Sequence, residues 1–258
     1  MARSASVTVV GAAIEQLEAA LQHAGSAQAV QSLQRYFPDP VVALGVPNGD
    51  VARIAGAAYA RDHALGSDDW VAVADHFARS HAYHEHLILA SALVAKVARL
   101  PDPHGRLLAL IKSWLEHDVS NWAQCDDLCI KPLYLYLKQR PHLLGEMHTW
   151  GTSESPWCRR ASSVALVKFV GRDANVNLDH IFANCARLLR DEDPYVQKGI
   201  GWILKVTGQY HAQAVCAFLR THHAQTARPT LRYAIEKLPA ELRASFLKTA
   251  APLPSESS

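Results

Sequence analysis

Residues 83–97 read Tyr83-His84-Glu85-His86-Leu87-Ile88-Leu89-Ala90-Ser91-Ala92-Leu93-Val94-Ala95-Lys96-Val97, with Leu87, Ala90, Val94 and Val97 at the spacing of one helical face. Pro101-Asp102-Pro103 then ends the pattern. From Ser67 onward, helical segments of roughly 12–18 residues alternate with short breakers, including Gly151-Thr152-Ser153, Gly171-Arg172-Asp173 and Gly208. Capping residues set the expected starts: Asp68 or Asp69, then near Pro103, Asn121, Pro141, Ser155, Asn177, Asp193, Gln209 and Thr226.

Upstream, Ile14, Leu17, Ala20 and Leu21 predict a helix from Ala12 to Ala24, and Gly25-Ser26 supplies its stop and the next N-cap. The stretch from Arg35 to Asn48 holds three prolines and Gly45, which makes it a shaped connection. Asn48 or Asp50 then caps a helix through Val51, Ile54, Ala55, Ala58 and Tyr59. Sustained two-residue alternation is missing, and the β-branched run Ser6 to Val10 is too short to support a sheet.

The expected fold class is therefore all-α. Helix pairs recurring at roughly 35–40 residues match HEAT-like or armadillo-like repeats, an α-solenoid of antiparallel pairs whose concave face carries binding residues. One domain is expected over residues 1–249, with residues 250–258, rich in Pro and Ser, as a frayed tail.

The formal net charge is only +2, yet it is unevenly placed. Residues 1–150 carry 12 Lys/Arg against 15 Asp/Glu, and residues 151–258 carry 14 against 9. That asymmetry suggests a basic surface from the C-terminal elements, suited to a polyanion. The five cysteines are an odd set without the paired spacing of a zinc site, so reduced, buried thiols are expected. With neither a secretory apolar core nor a run of membrane-spanning length, the expected location is the cytoplasm, without membrane association.

Chemistry concentrates in three stretches. In Asn121-Trp122-Ala123-Gln124-Cys125-Asp126, Trp122 and Asp126 stand one helical turn apart on the same side. In Trp157-Cys158-Arg159-Arg160, a tryptophan precedes a cation by three residues. In Lys198-Gly199-Ile200-Gly201-Trp202-Ile203-Leu204-Lys205, two lysines share roughly one face with Trp202. Indole faces attract cations and a carboxylate stabilises positive charge, so Trp122, Trp202 and Asp126 suit a cationic ligand or transition state. Arg160, Lys198 and Lys205 suit phosphates. Alkylated DNA meets both demands, since a 3- or 7-alkylpurine carries a positive charge within a phosphate backbone.

On these motifs the sequence resembles the HEAT-like DNA alkylation-repair glycosylases of the AlkD type. The matching pieces are Tyr36 with Leu44-Gly45-Val46, Trp122 to Asp126, Trp157 to Ala161, and Gln197 to Trp202, in matching order and approximate separation over most of the chain. The resemblance implies that Asp126 is the catalytic carboxylate, that Trp122 and Trp202 contact the damaged nucleotide, that Arg160 holds the adjacent backbone, and that Tyr36 completes the cleft. By the same resemblance Lys168, Lys205 and Arg232 lie near DNA. The implied reaction is hydrolysis of the N-glycosidic bond of 3-methyladenine- or 7-methylguanine-type lesions in duplex DNA. It needs no metal or organic cofactor, and the protein is expected to act as a monomer, nucleoid-associated when bound to DNA. Asn121 and Ala123 stand where members often carry a second tryptophan and an acidic residue.

Two other classes remain open at this level: a solenoid that only binds DNA or a protein partner, and, more remotely, a hydrolase using the histidines. His81, His84 and His86 lack the His-Glu-x-x-His order of a zinc helix, so solvated or capping roles are expected for them.

Overall fold

The computed structural model describes residues 2–102, 104–172 and 176–248, with side chains from residue 8 to residue 247. The expected tail at 250–258, and the breaker positions Pro103 and Asp173, lie outside the described residues. The chain divides into two compact units, Met1–Gln139 and Arg140–Ser258. All regular structure in the described residues is helical, so the all-α class holds.

The first unit contains α1 (Ala2–Ala24), α2 (Ala27–Gln34), α3 (Asn48–Arg61), α4 (Ser67–Ser80), α5 (His84–Val97), α6 (Arg106–His117), α7 (Trp122–Leu128) and α8 (Tyr134–Lys138). The β-branched run at Ser6 to Val10 belongs to α1, which begins ten residues earlier than its apolar stripe indicates. At the centre lies α5, packed against α3, α4 and α7. Its predicted stripe is only one of its buried faces, because Ile88, Leu89 and Leu93 are fully buried as well. A helix apolar all round is one that neighbours enclose.

Between α7 and α8 the chain widens into a π-helical turn at Cys129–Leu133. The cause is Pro132, which has no N–H to give the Leu128 carbonyl and whose ring would strike it in an α-helix. The Tyr134 N–H instead reaches back to the Cys129 carbonyl.

The second unit contains a 3-10 segment (Pro141–Thr152), α9 (Pro156–Val164), α10 (Leu178–Leu188), α11 (Pro194–Tyr210), α12 (Ala212–Thr221), α13 (Arg228–Ala234) and α14 (Ala240–Lys248). Ser155, Asn177 and Asp193 cap α9, α10 and α11 through their side-chain oxygens, as the sequence predicts. In the first unit Asn48 and Asp50, expected as caps, lie inside α3, whose N-cap position is Pro47, and two expectations fail in the second unit. The segment after Pro141 is 3-10 rather than α. Gly208 does not break its helix, because α11 runs on to Tyr210. A Cβ at Gly208 would lie 3.0 Å from Leu238 Cδ2, so the glycine serves close packing instead.

Near the start of α9 a second arginine is locked into the fold. Arg159 holds Asp191 with two bonds (2.6 and 3.0 Å) and donates to the carbonyls of Ser153 and Glu154. This fork raises its already high pKa, chiefly through the Asp191 hydrogen bond.

Candidate functional site

The predicted residues fall on both units, and each half is built locally. In the first unit, Asn121 caps α7 by accepting the N–H groups of Ala123 and Gln124. Here a residue that departs from the family pattern does structural duty, starting the helix that carries Trp122 and Asp126. Trp122 is half-buried, and Asp126 one turn later is buried. The neighbouring Asp127 is engaged elsewhere, pairing with Lys131 and accepting a 2.6 Å hydrogen bond from the Ser91 hydroxyl.

The Trp122 ring stacks on Phe37, with centroids 5.5 Å apart and planes at 28°. Phe37 also meets the His84 ring edge-on at 5.9 Å. Tyr36, the residue predicted from sequence, adjoins Phe37 and is 70% exposed. The connection carrying both is strapped by Gln34, whose amide donates to the Phe37 and Asp39 carbonyls and accepts the Val41 N–H. So the structure brings Trp122, Asp126 and the Tyr36 segment together within one unit.

The expectation of solvated or capping histidines is corrected for two of the three. His81 is exposed at the left-handed end of α4 (φ 51°) and bonds Asp118 at 2.9 Å. His84 and His86, by contrast, are each only 4% exposed. His84 Nδ1 faces the Asn121 amide at 3.2 Å, and its carbonyl accepts from Gln124 at 3.2 Å. His86 bonds the Ser80 hydroxyl and lies 3.0 Å from Glu18. Their partners stand in other helices, which the spacing of the three histidines could not reveal.

Burial pushes both imidazoles below their ordinary pKa, against Glu85 and Asp127 at His84 and against Glu18 and Glu85 at His86. The folded protein thus keeps them neutral at a pH where the unfolded chain takes up protons. Stability contributed by this difference is present above about pH 6.5 and is lost as pH falls from there toward the lowered folded values. Denaturant midpoints measured from pH 7.5 to 5.5 should fall, and His84→Gln should flatten that slope; a variant slope equal to wild type would contradict the assignment.

In the second unit, Arg160 is 5% exposed and donates to the Tyr195 carbonyl in the first turn of α11. Gly199 makes the room: a Cβ there would come within 3.3 Å of Arg160 Cγ. Tyr195 packs on Trp157 at 5.4 Å and carries the Lys198 ammonium 5.0 Å above its ring centre. Further along α11, half-buried Trp202 is followed by Lys205, which bonds Glu236 at 2.9 Å and lies 4.6 Å from the Tyr233 ring centre. Lys205 in turn holds the Glu236 carboxyl below its usual range. Arg232 is exposed on α13 and, with Arg228 and Tyr233, lines a shallow open depression. Lys168 is half-buried in the turns after α9.

All five cysteines are buried and none forms a disulfide, and burial drives the Cys185 thiol far up from its normal value. Among the described residues no cluster of three or more His, Cys, Asp or Glu is arranged to hold a metal, and no helix is long and apolar enough to cross a membrane.

Residues 17–238 match the family model described as DNA alkylation repair enzyme. The chain belongs to that family. A search of curated proteins found no match. Among solved structures, a predicted DNA alkylation repair enzyme from Enterococcus faecalis is similar at TM-score 0.73 and 13% identity, covering 84% of this chain and 97% of that one. AlkD2 from Streptococcus mutans is similar at TM-score 0.59 and 17% identity, covering 83% and 99%. The protein smu.31 from Streptococcus mutans UA159 also gives 0.59, at 18% identity and coverage of 82% and 98%. At such identities these likenesses speak for the helical-repeat fold, and the family model speaks for DNA alkylation repair.

Proposed function

We propose that this member of the DNA alkylation repair family is a glycosylase that removes cationic alkylpurines, such as 3-methyladenine and 7-methylguanine, from duplex DNA. The observation that carries the reading is a buried carboxylate, Asp126, one helical turn from an indole seated on an aromatic support. The bond between C1′ and the base nitrogen breaks with its electron pair going to the charged base, which leaves neutral and needs no general acid. Positive charge builds on the sugar, where Asp126 stabilises it and orients water toward C1′; the water proton is lost to the carboxylate or to solvent. Trp122, Trp202 and Tyr36 contact the lesion and its sugar, the indoles adding about 0.5–2 kcal/mol each of cation–π attraction. No metal or organic cofactor takes part in this scheme.

Phosphate contacts fall to Arg160, Lys168, Lys198, Lys205 and Arg232, of which Lys198 and Arg232 are exposed for direct contact. Arg160 commits a donor to the Tyr195 carbonyl and so also orders the helix turn that presents Lys198. The second unit holds the greater share of basic residues, consistent with this division. Replacing Lys198 or Arg232 by alanine is expected to shallow the slope of log affinity against log salt by about one each. Fluorescence titrations from low to moderate salt check this, and an unchanged slope removes that residue from the contact set.

The reaction itself is tested by incubating methylated duplex DNA with the protein and counting alkali-labile abasic sites. Accumulation of sites supports a glycosylase; binding without new sites supports the rival reading, a helical-repeat protein that only holds DNA or a protein partner.

A further inference from the structure

Glu85 is 1% exposed, yet it stands in the first turn of α5 and not in any ion pair with a basic side chain among the described contacts. Its carboxylate is met by backbone: Oε2 accepts the Leu44 N–H at 2.9 Å, and Oε1 accepts those of Gly45 and Val46 at 2.8 and 3.0 Å. Three successive N–H groups converge on one carboxylate because Gly45 adopts φ 78°, which bends the chain into an anion-binding concavity. The α5 N-terminus adds favourable dipole to the same charge.

What this grip positions is specific. Between residues 35 and 44 only Phe37 is buried, and its ring is the support beneath Trp122. The adjoining His84 completes the arrangement, donating its backbone N–H to the Val42 carbonyl while its carbonyl and ring hold Gln124 and Asn121 of the α7 start. Two successive residues of α5 therefore fix both the segment under the indole and the helix that carries it.

We propose that Glu85 is a positioning residue of the lesion site, holding residues 44–46 so that Phe37 seats the Trp122 indole. The inference rests on Trp122 being the lesion-facing indole of the proposed glycosylase. Glu85 touches no substrate and acts through the strap. A glutamine at this position keeps the shape but turns an NH2 group toward a backbone N–H, so one anchor is lost and the strap loosens.

The test is Glu85→Gln, read three ways. Amide exchange at 44–46 should quicken about tenfold or more, as expected when a local anchor is released. The Trp122 indole resonance, assigned by its loss in Trp122→Phe, should shift. Single-turnover base release should fall about tenfold at saturating protein while affinity for unmodified duplex changes less than about twofold, since misplacement acts on the reacting geometry and not on phosphate contacts. Because both residues act on one step, Glu85→Gln with Trp122→Phe should be less damaging than the two single effects multiplied. An unmoved Trp122 resonance, or release per folded molecule equal to wild type, overturns the proposal. Should wild type release no base, the glycosylase reading fails by itself, and exchange with the Trp122 shift still decides the positioning. If Glu85→Gln does not fold, Gln34→Ala loosens the same strap from its other end and must produce the same Trp122 shift.

Discussion

Asp126→Asn is expected to leave the fold and DNA binding intact while lowering alkylpurine release by roughly 10²–10³-fold, the usual cost of removing one aimed electrostatic group. The physical reason is the sign of the charge that develops. In the ground state the positive charge sits on the alkylated base; at the transition state it has moved to the sugar, where a carboxylate attracts it and an amide does not. The carboxylate is buried, so its field is screened less than it would be in water. The neighbouring Asp127 pairs with Lys131 and accepts a hydrogen bond from Ser91. Single-turnover release with protein in excess separates this loss from any loss of affinity. A variant that releases base within about threefold of wild type would remove Asp126 from the chemistry, because that is less than 1 kcal/mol.

Gly45→Ala is expected to be the most damaging small substitution in the first unit, at about 3 kcal/mol or more of stability, with loss of base release from what remains folded. Two costs coincide. Gly45 lies at φ 78°, where an L-residue with a Cβ is strained. The added Cβ would also run into the Ser26 carbonyl oxygen and approach Val30 N and Cγ2 at 2.9 Å. That carbonyl cannot simply retreat, because it accepts the Val30 N–H at the start of α2 while the Ser26 N–H bonds Leu44. The same shift would pull the Gly45 and Val46 amides off Glu85. Urea midpoints give the measurement, and a loss below about 1 kcal/mol would mean that the strap tolerates displacement.

How much was readable in advance follows the range of the interactions. Asn121, Ser155, Asn177 and Asp193 announce helix starts because a cap bonds backbone two or three residues away. Gly208 misleads because its role is set by Leu238, thirty residues on. The Pro132 distortion is local, but a proline within an apolar helix can end it, kink it or widen it, and packing decides which. The identity of Trp122, Asp126 and Tyr36 as candidates came from residue chemistry and the family resemblance. The supporting roles of Phe37 and Glu85 went unread, and His84 was taken as solvated or capping, because each acts across about forty to eighty-five residues of chain. Arg160 was legible as a cation but not as a buried one, since its burial depends on the missing side chain at Gly199.

The activity proposed is cleavage of the glycosidic bond of a base that is already positively charged. Its most direct test is mass-spectrometric identification of free bases released from duplex DNA carrying cationic lesions (3-methyladenine, 7-methylguanine) and neutral ones (O6-methylguanine, 1,N6-ethenoadenine) under single-turnover conditions. Release of the cationic bases is expected, and none of the neutral ones above the uncatalysed background. Release of neither class by folded, DNA-bound protein, or release of both at similar rates, would contradict it.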